Sequence, residues 1–387
     1  MKKVAVFTGS RSEYGLIKNL IHIIFKSNYF NLGLIVSGTH LAKNYGKTLD
    51  EIKRDKIQIS KLIKFKYQKN MSDPKYISSN MSKLMADLVS YLKKKKPDVL
   101  ILVGDRYETF IAAVAAVILK IKIVHIHGGE ITSGSRDDLY RHSISKMSDY
   151  HFVSTEPYKK RLIQLGENPK NIFNFGALCN DNIKNLKLIN KKIIEKILKT
   201  KFHEKNILIA YHPETNSKKK NINEFNKFLS LLKKIKNCKF FFSAPNPDEN
   251  SDYILKKIKF FCRNNKNSYY KDSYGNELFL NLLRECNLMI GNSSSGILEA
   301  PLLGTPSINF GKRQNGRIKS LLTVNCKLGS KKGIVQIKKL LRQDKKRTYI
   351  KKNPYYGINV SKKIYLKLKK LDFKQKNYKM FNDINFR

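Results

Sequence analysis

The sequence has no apolar run that reaches the roughly 18 residues needed for a membrane-spanning helix. Its first residues, Met1 to Phe7, enter an apolar stretch that is too short for the core of a signal peptide. These two absences argue against a membrane protein and against a secreted one. We therefore expect a cytoplasmic protein that has no membrane partner.

Cysteine is also scarce, and it is scattered. The chain has five cysteines, an odd number with no CxxC pair: Cys179, Cys238, Cys262, Cys286 and Cys326. This distribution argues against a disulfide framework and against a structural zinc site. We expect reduced thiols in apolar surroundings.

Acidic residues are the third shortage. The chain has 30 Asp and Glu against 77 Lys and Arg, which gives a formal charge of +47. A basic chain can bind nucleic acid by neutralising phosphates. Here, however, the lysines are spread over most of the predicted surface helices and form no single stripe with interleaved aromatic residues. We therefore expect no nucleic-acid partner, although the positive field would attract a small anionic substrate.

Hydrophobic residues make up 41% of the chain and fall in short runs, which predicts a well-packed core. At roughly 100 to 200 residues per domain, 387 residues predict two domains. In the first half, strands predicted at 4–7, 32–37, 99–104, 121–127 and 150–154 alternate with helices at 14–26, 81–94, 107–119, 139–147 and 158–166. Such βα units predict a parallel, doubly wound sheet.

The pattern then restarts. Strands are predicted at 207–211, 239–243, 288–291 and 307–310, and helices at 222–235, 253–262, 277–286 and 296–303. We predict an N-terminal domain over 1–180, a polar linker over 181–205, a C-terminal domain over 206–370 and a weakly ordered tail over 371–387. The predicted fold class is α/β, with two doubly wound Rossmann-like domains facing each other across a cleft, where the carboxyl ends of the strands bind ligands.

The turn Gly9-Ser10-Arg11-Ser12-Glu13-Tyr14-Gly15 joins the first predicted strand to the first helix. Backbone amides at such a helix start can bind an anion, and Arg11 would add a forked donor for a phosphate. The turn lacks both the GxGxxG and the GxxxxGK[ST] patterns. A plain βα turn with surface charges is the alternative interpretation.

Polar residues gather after the next two strands of the first domain. Asp105 follows one strand, where it is either a helix N-cap or a catalytic carboxylate. His125 and His127 share one face of the following strand, and a Gly-Gly turn then leads to Glu130. The residues that follow add further candidates for acid–base chemistry: Asp137, Asp138, Arg141 and His142. A metal site built on the two histidines is the competing interpretation.

In the second domain, His212-Pro213-Glu214 follows a strand, and Gly291-Asn292-Ser293-Ser294-Ser295-Gly296 runs from a strand into a predicted helix. Small hydroxyl residues and a glycine at a helix start can close on a diphosphate. Glu299, one turn into that helix, can accept hydrogen bonds from two ribose hydroxyls. An ordinary serine N-cap is the alternative, but it would not need three serines in a row.

Taken together, these motifs resemble the hydrolysing UDP-N-acetylglucosamine 2-epimerases of bacterial sialic acid biosynthesis and their relatives that act on bacillosamine-type nucleotide sugars. The resemblance rests on seven segments in order along nearly the whole chain: 7–15, 104–108, 125–130, 141–148, 161–167, 212–215 and 291–299. It implies a fold like that of the B-type glycosyltransferases, with the nucleotide held mainly by the C-terminal domain. It also implies a homodimer and a reaction that requires no cofactor and no metal.

The resemblance further implies a reaction and residue roles. The C2 proton is removed, UDP leaves by anti elimination to a 2-acetamidoglucal, and water adds to give N-acetylmannosamine. Asp105 and Asp137 correspond to the catalytic carboxylates, and Glu130 is a further acid–base candidate. The resemblance implies UDP contacts at Arg11, His212, Ser294, Ser295 and Glu299. From the motifs themselves we add four candidates for substrate binding: Ser293, Gly296, Arg141 and His142.

One position departs from the pattern, because several branches of the family carry a glutamate where this chain has His127. Three groups therefore remain candidates for the first base: His127, Asp105 and Glu130. Four other functions also remain open. They are the same reaction on a UDP- or GDP-2,4-diacetamido-2,4,6-trideoxyglucose, a B-type glycosyltransferase, a metal-dependent hydrolase that uses His125 and His127, and a basic binding protein.

Overall fold

A computed structural model describes residues 1–41, 48–65, 73–133, 136–214, 218–245, 251–343, 349–374 and 379–384. The chain forms two compact units, each built on a parallel sheet. Unit 1 consists of Met1–Glu130, Arg136–Asn182 and Gly357–Arg387, and unit 2 consists of Ile131–Ser135 and Ile183–Tyr356. Within the described ranges, none of the helices combines the length and the apolar character that crossing a membrane requires.

Unit 1 contains a seven-stranded sheet in the order β3-β2-β1-β4-β5-β6-β7, with every pairing parallel. Its strands are β1 (Lys2–Thr8), β2 (Phe30–Val36), β3 (Ile59–Leu62), β4 (Val99–Val103), β5 (Lys122–Ile126), β6 (Tyr150–Val153) and β7 (Ile172–Asn174). Its helices are α1 (Arg11–Phe25), α2 (Thr48–Arg54), α3 (Pro74–Lys95), α4 (Tyr107–Ile118), α5 (Asp137–Met147), α6 (Glu156–Gln164) and α7 (Cys179–Lys184), followed by the C-terminal α14 (Val360–Lys370).

Both faces of this sheet are buried. Along β1, Val4 and Val6 belong to one hydrophobic cluster and Ala5 and Phe7 to another, as expected when successive side chains point to opposite faces. Strands that are covered on both faces read as continuous apolar runs, and β4 (Val-Leu-Ile-Leu-Val) is the clearest case. This is why the sequence pattern located the central strands of the sheet well.

The C-terminal part of the chain differs from the expected domain boundaries. Helix α14 packs on unit 1, because Ile364 and Leu368 belong to the same hydrophobic cluster as the buried face of α1. Leu371 and Phe373, expected in a weakly ordered tail, are buried in that cluster too. The rest of the expected tail is described at 379–384, whereas 375–378 and 385–387, like Thr215 of the 212–215 motif, lie outside the described residues.

Unit 2 contains a six-stranded parallel sheet in the order β10-β9-β8-β11-β12-β13. Its strands are β8 (Lys205–Ala210), β9 (Cys238–Ser243), β10 (Ser268–Lys271), β11 (Leu288–Gly291), β12 (Ser307–Phe310) and β13 (Thr323–Cys326). Its helices are α8 (Lys191–Leu198), α9 (Lys218–Lys233), α10 (Ser251–Arg263), α11 (Gly275–Glu285), α12 (Glu299–Leu302) and α13 (Lys331–Leu341).

One predicted helix of unit 2 is wrong in extent. Residues 296–303 are not a continuous helix: a 3-10 turn covers Ser294–Gly296, and the four-residue α12 begins only at Glu299. Pro301 explains the difference, because proline has no N–H and its ring clashes with the carbonyl four residues earlier in a helix interior. A helix that begins at Glu299 places this proline in the first turn, where it is tolerated.

In each unit the strand order reverses direction at one place, between β1 and β4 in unit 1 and between β8 and β11 in unit 2. In open α/β sheets, the loops that follow such neighbouring strands diverge, and ligands bind in the crevice between them at the carboxyl edge. All four of these loops carry motifs identified in the sequence. The topology therefore selects the residues that follow β1, β4, β8 and β11 as the candidates for function.

Candidate active site

The loop after β1 is closed by a capping box. The Ser10 hydroxyl accepts from the Glu13 amide, and Glu13 Oε2 accepts from the backbone amides of Gly9 at 2.6 Å and of Ser10 at 3.0 Å. Two of the amides that were expected to bind an anion are therefore bonded to a carboxylate of the same loop. Arg11, the first residue of α1, is half-buried and remains the candidate anion ligand of this turn.

Glu13 and Glu108 form a buried acidic pair next to this loop, and no pattern in the sequence indicates it. Glu108 forms an ion pair with Arg106, with Oε2 3.1 Å from Nε, and Glu13 lies nearby and accepts a bond from Thr109. Burial, followed by the charge of Glu108, raises the pKa of Glu13 to about 7, against the opposing effects of Arg106 and the bonds from Gly9 and Thr109.

The loop after β4 holds Asp105 in contact with Arg141 of α5. The Arg141 guanidinium is almost fully buried and donates to the carboxylates of Asp105 and Asp138 and, at 3.0 Å, to the carbonyl oxygen of Glu130. Asp105 keeps 23% of its side chain exposed. Arg141 was expected to bind substrate, and these contacts also place its guanidinium where it orients the Asp105 carboxylate.

His125 is a core residue with both ring nitrogens engaged. Its Nε2 lies 2.8 Å from the carbonyl oxygen of Gly104, and its Nδ1 lies 3.0 Å from the Ser145 hydroxyl. The carbonyl can only accept, so Nε2 carries the proton and Nδ1 accepts from the serine. Burial lowers the pKa of His125 to about 3, and the ring is therefore neutral at ordinary pH.

His127 has different partners, because strand β5 ends one residue before it and its backbone is left-handed, with φ of +66°. The His127 Nδ1 lies 3.0 Å from Glu130 Oε1, and its Nε2 accepts from the backbone amide of Leu178 at 3.4 Å. Ser154 also donates to Glu130 Oε1. This buried set fixes Glu130 and selects the tautomer of His127 that carries its proton on Nδ1.

The two histidines have separate hydrogen-bond partners, contrary to the expectation that they share one face of a strand. Where side chains are described, no group of three or more His, Cys, Asp or Glu is arranged to hold a metal ion. The left-handed conformation at His127 is the physical reason, since the period-two alternation applies only while the strand continues.

The remaining candidates of unit 1 lie on α5. Asp137 is the first residue of this helix and is partly exposed, and His142 lies on the same helix one residue beyond Arg141. Burial lowers the pKa of His142, against the charge of Asp138. The Nδ1 atom of His142 is buried.

In unit 2, the loops after β8 and β11 are joined through one amide side chain. Asn292, fully buried, accepts from the backbone N–H of His212 at 2.6 Å and donates to its carbonyl oxygen at 2.7 Å. The Gln314 side chain, from the loop after β12, donates to the backbone carbonyl oxygen of Asn292 at 3.0 Å. These bonds fix the backbone at His212, and neither Asn292 nor Gln314 was selected from the sequence.

The carboxylate of Glu214 holds the loop that follows β12. Glu214 is buried, and its Oε1 accepts from the backbone amides of Lys312 and of Arg313. Gly311 makes this approach possible: its φ is +84°, and a side chain there would collide with the Glu214 carboxylate.

The serine loop forms a tight turn. Ser293 caps it by accepting from the Ser295 amide, and the amides of Ile297 and Leu298 both bond the Ser294 carbonyl oxygen. The Gly296 carbonyl oxygen accepts from the hydroxyls of Ser307 and Thr323. Several amides expected to face a diphosphate are thus used within the turn. The Ser293, Ser294 and Ser295 side chains remain partly exposed, as does Glu299 at the start of α12.

Comparisons with known proteins identify the family of the chain. The family described as UDP-N-acetylglucosamine 2-epimerase matches residues 23–369. The GDP/UDP-N,N'-diacetylbacillosamine 2-epimerase (hydrolyzing) of Campylobacter jejuni is 38% identical over 82% of this chain and 83% of its own length. Polysialic acid biosynthesis protein P7 of Escherichia coli is 36% identical over 99% of this chain and 98% of its own.

The solved structures show the same fold. UDP-GlcNAc 2-epimerase from Neisseria meningitidis bound to UDP-GlcNAc superimposes with a TM-score of 0.78 at 22% identity, over 96% of this chain and 100% of that one. A UDP-N-acetylglucosamine 2-epimerase structure from Listeria monocytogenes gives 0.79 at 20% identity, over 95% and 96%. The extent of the family match and the identity to the curated relatives lead to one conclusion: this chain belongs to the UDP-N-acetylglucosamine 2-epimerase family and is a nucleotide-sugar 2-epimerase.

Proposed function

We propose that this chain is a hydrolysing 2-epimerase that converts UDP-N-acetylglucosamine and water into UDP and N-acetylmannosamine. The observation that carries the proposal is the pairing of Asp105 with the buried Arg141 at the switch point of the first sheet. This contact orients a partly exposed carboxylate, and proton transfer at a sugar carbon requires such a positioned group. The likeness to the polysialic acid protein over almost the entire chain supports this choice of substrate.

The reaction balances in two steps. A base removes the C2 proton while the bond from C1 to the diphosphate oxygen breaks, so UDP leaves with its electron pair and a 2-acetamidoglucal forms. Water then adds its hydroxyl to C1. C2 receives a proton on the face opposite to the one from which the first proton was removed, which inverts that carbon. Asp105 and Asp137 are assigned to these proton transfers, since general acid–base catalysis needs groups that reach the substrate.

The assignment of the first base follows from exposure. Asp105 has 23% of its side chain exposed, whereas His127 has 7% and Glu130 has 2%. His127 and Glu130 also bond each other and their surroundings. We therefore assign the first base to Asp105, and to the pair of His127 and Glu130 the task of holding the end of β5 beside it.

Unit 2 is assigned to the nucleotide. The hydroxyls of Ser293, Ser294 and Ser295 would donate to the diphosphate, and Glu299 would accept from the ribose hydroxyls. His212, whose backbone Asn292 fixes, would offer its imidazole to the same nucleotide. Arg11 of unit 1 is assigned to a phosphate oxygen, for which its forked guanidinium is suited.

The names of two relatives support a second candidate substrate, a nucleotide-linked diacetamido sugar. The Campylobacter jejuni relative at 38% identity, and one from Legionella pneumophila at 33% over 83% of this chain, are both named for N,N'-diacetylbacillosamine. The same elimination and water addition would apply to a 2,4-diacetamido-2,4,6-trideoxy sugar linked to UDP or GDP. The two substrates differ at C4 and C6, so the groups that contact these carbons decide between them.

Proton NMR in deuterated water tests the reaction and the substrate together. The purified chain is incubated, with a chelator and without an acceptor, with each nucleotide sugar in turn. UDP-N-acetylglucosamine should yield UDP and N-acetylmannosamine that carries deuterium at C2. Asp105→Asn prepared in parallel excludes a contaminating epimerase. Asp87→Asn, which alters a surface ion pair with Lys83, is the matched control and should retain activity.

Each alternative outcome has a defined meaning. Turnover of the diacetamido sugar alone would replace the proposed substrate and keep the reaction. Turnover that the chelator abolishes would indicate a metal-dependent hydrolase. Sugar transfer that needs an added acceptor, without free N-acetylmannosamine, would indicate a glycosyltransferase. For the assembly we propose a homodimer in the cytoplasm, and light scattering should then give twice the chain mass of 44.9 kDa.

A further inference from the structure

The C-terminal segment of unit 1 contacts the end of α5, the helix that carries Asp137 and Arg141. Lys379 Nζ donates to the carbonyl oxygens of Lys146 and Ser148, each at 2.6 Å. The carbonyl groups in the last turn of a helix have no partner within the helix, and a cation there is favoured by the helix dipole. Lys379 thus caps α5 from more than 200 residues away in sequence.

The same lysine is held by a buried carboxylate. Glu167 lies 2.5 Å from Lys379 Nζ, 3.2 Å from Lys146 Nζ and 2.8 Å from His151 Nε2. Burial acts to raise the pKa of Glu167, but the bonds from His151 and Lys379 prevail and lower it. Glu167 is therefore an ionised anchor for both lysines.

An aromatic contact completes the attachment. The Phe381 ring packs on Gly166, where a side chain would collide with it, and the Lys146 ammonium lies 4.2 Å from the ring centroid. The backbone amide of Asn382 donates to the Gly166 carbonyl oxygen at 3.0 Å. We name residues 379–384 the C-terminal latch.

The latched helix is connected to the proposed base at two places. Near its C-terminal end, Ser145 bonds His125, whose other nitrogen bonds the Gly104 carbonyl oxygen, directly before Asp105. One turn earlier, Arg141 bonds the Asp105 carboxylate itself. A shift of α5 would therefore move both the backbone before Asp105 and the cation that orients its side chain.

We propose that the C-terminal latch sets the position of α5 and thereby aligns Asp105 and Asp137, with Lys379 as a positioning residue for the reaction. This inference rests on the proposed function for its effect on rate, but the effect on α5 does not depend on it. The latch should act on turnover and not on nucleotide affinity, because its described contacts with Lys146, Ser148, Gly166 and Glu167 all lie within unit 1.

The test uses Lys379→Met in the full chain, with Lys379→Arg as the conservative variant and Lys374→Met as a control that removes one exposed lysine from the same region. Hydrogen exchange should become about tenfold faster at the C-terminal half of α5 in Lys379→Met only. Unchanged exchange there would overturn the proposal whatever the enzyme's substrate is.

Kinetics provide the second readout. Normalised to UDP-binding sites, kcat of Lys379→Met should fall about tenfold or more, as expected for a misaligned catalytic group, with KM within about twofold of the parent. The isotope effect on kcat with substrate deuterated at C2 should rise, because proton transfer becomes slower, and Lys379→Arg should restore most of the rate. A loss of folded protein alone would change neither the normalised kcat nor the isotope effect, and that result would refute the role in alignment.

Discussion

At the carboxyl edge of the first sheet, titratable side chains bond one another: Arg141 bonds Asp105 and Asp138, and His127 bonds Glu130. At the same edge of the second sheet, the interloop bonds end on backbone groups, as with Asn292 on His212 and Glu214 on the amides of Lys312 and Arg313. Ion pairs set the protonation of a side chain, whereas bonds to the backbone set the shape of a loop. The comparison supports the proposal that the first edge carries out proton transfer and the second binds the nucleotide.

The largest effect is expected from a substitution that removes the proposed base at the first edge. Asp105→Asn should lower kcat at least about a hundredfold, as is usual for a lost general acid or base, with the UDP dissociation constant unchanged. Turnover is measured by chromatography of released UDP and affinity by calorimetry. If turnover were unchanged, Asp105 would have no part in proton transfer and the contrast between the two edges would fail.

A second substitution removes the bonds that hold the loops of the second edge together. Asn292→Ala should lower the free energy of unfolding by about 2 kcal/mol, because two bonds are lost and the buried N–H and carbonyl of His212 are left without them. Urea denaturation followed by circular dichroism gives the value. Asn264→Ala, which removes an exposed bond to the Phe260 carbonyl, is the control and should change little.

Glu299→Ala tests whether the second edge binds the nucleotide. Loss of bonds to the ribose should weaken UDP binding about tenfold and leave kcat at saturating substrate nearly unchanged. Glu285→Ala, which breaks the surface pair with Arg284, is the matched control and should bind UDP normally. A lower kcat with normal UDP affinity would move Glu299 from binding to chemistry.

The smallest effect concerns pH. The pKa of His125 is lowered by burial to about 3 in the folded chain, so between that value and about 6.5 the unfolded chain binds more protons at this residue. Its contribution to stability is full above pH 6.5 and is lost as the pH falls. Between pH 6 and pH 5 the loss should be about 1 kcal/mol. His125→Gln should therefore have a flatter pH dependence of unfolding than the parent, and identical slopes would contradict the assignment.

Local patterns predicted much of the fold. Strands β1, β4, β5 and β11 were located because they are apolar and bounded by turns, and the loops that follow them contain the candidate residues. The pairing of Asp105 with Arg141 could not be predicted, since it joins residues 36 positions apart and depends on how α5 packs. The left-handed turn at His127 was missed because a histidine gives no signal for a positive φ.

The end of the chain shows a different difficulty. Helix α14 has an ordinary amphipathic pattern that predicts a helix but does not specify the sheet against which it packs. Lys379 and Phe381 appear in the sequence as parts of a short polar segment, and only their distances to Glu167 and Gly166 show what they do. Local sequence patterns thus could not predict these contacts, because they join residues that are far apart in the sequence.

The return of the chain to unit 1 has a consequence for biosynthesis. Val360, Ile364 and Leu368 belong to the hydrophobic cluster around α1, yet the ribosome adds them only after residues 183–356 have been made. Unit 2 is nearly continuous in sequence and can complete its core during translation. Unit 1 cannot complete its core until α14 has been synthesised, and part of its apolar surface is exposed until then. The nascent first unit is therefore the part of this protein that we expect chaperones to bind.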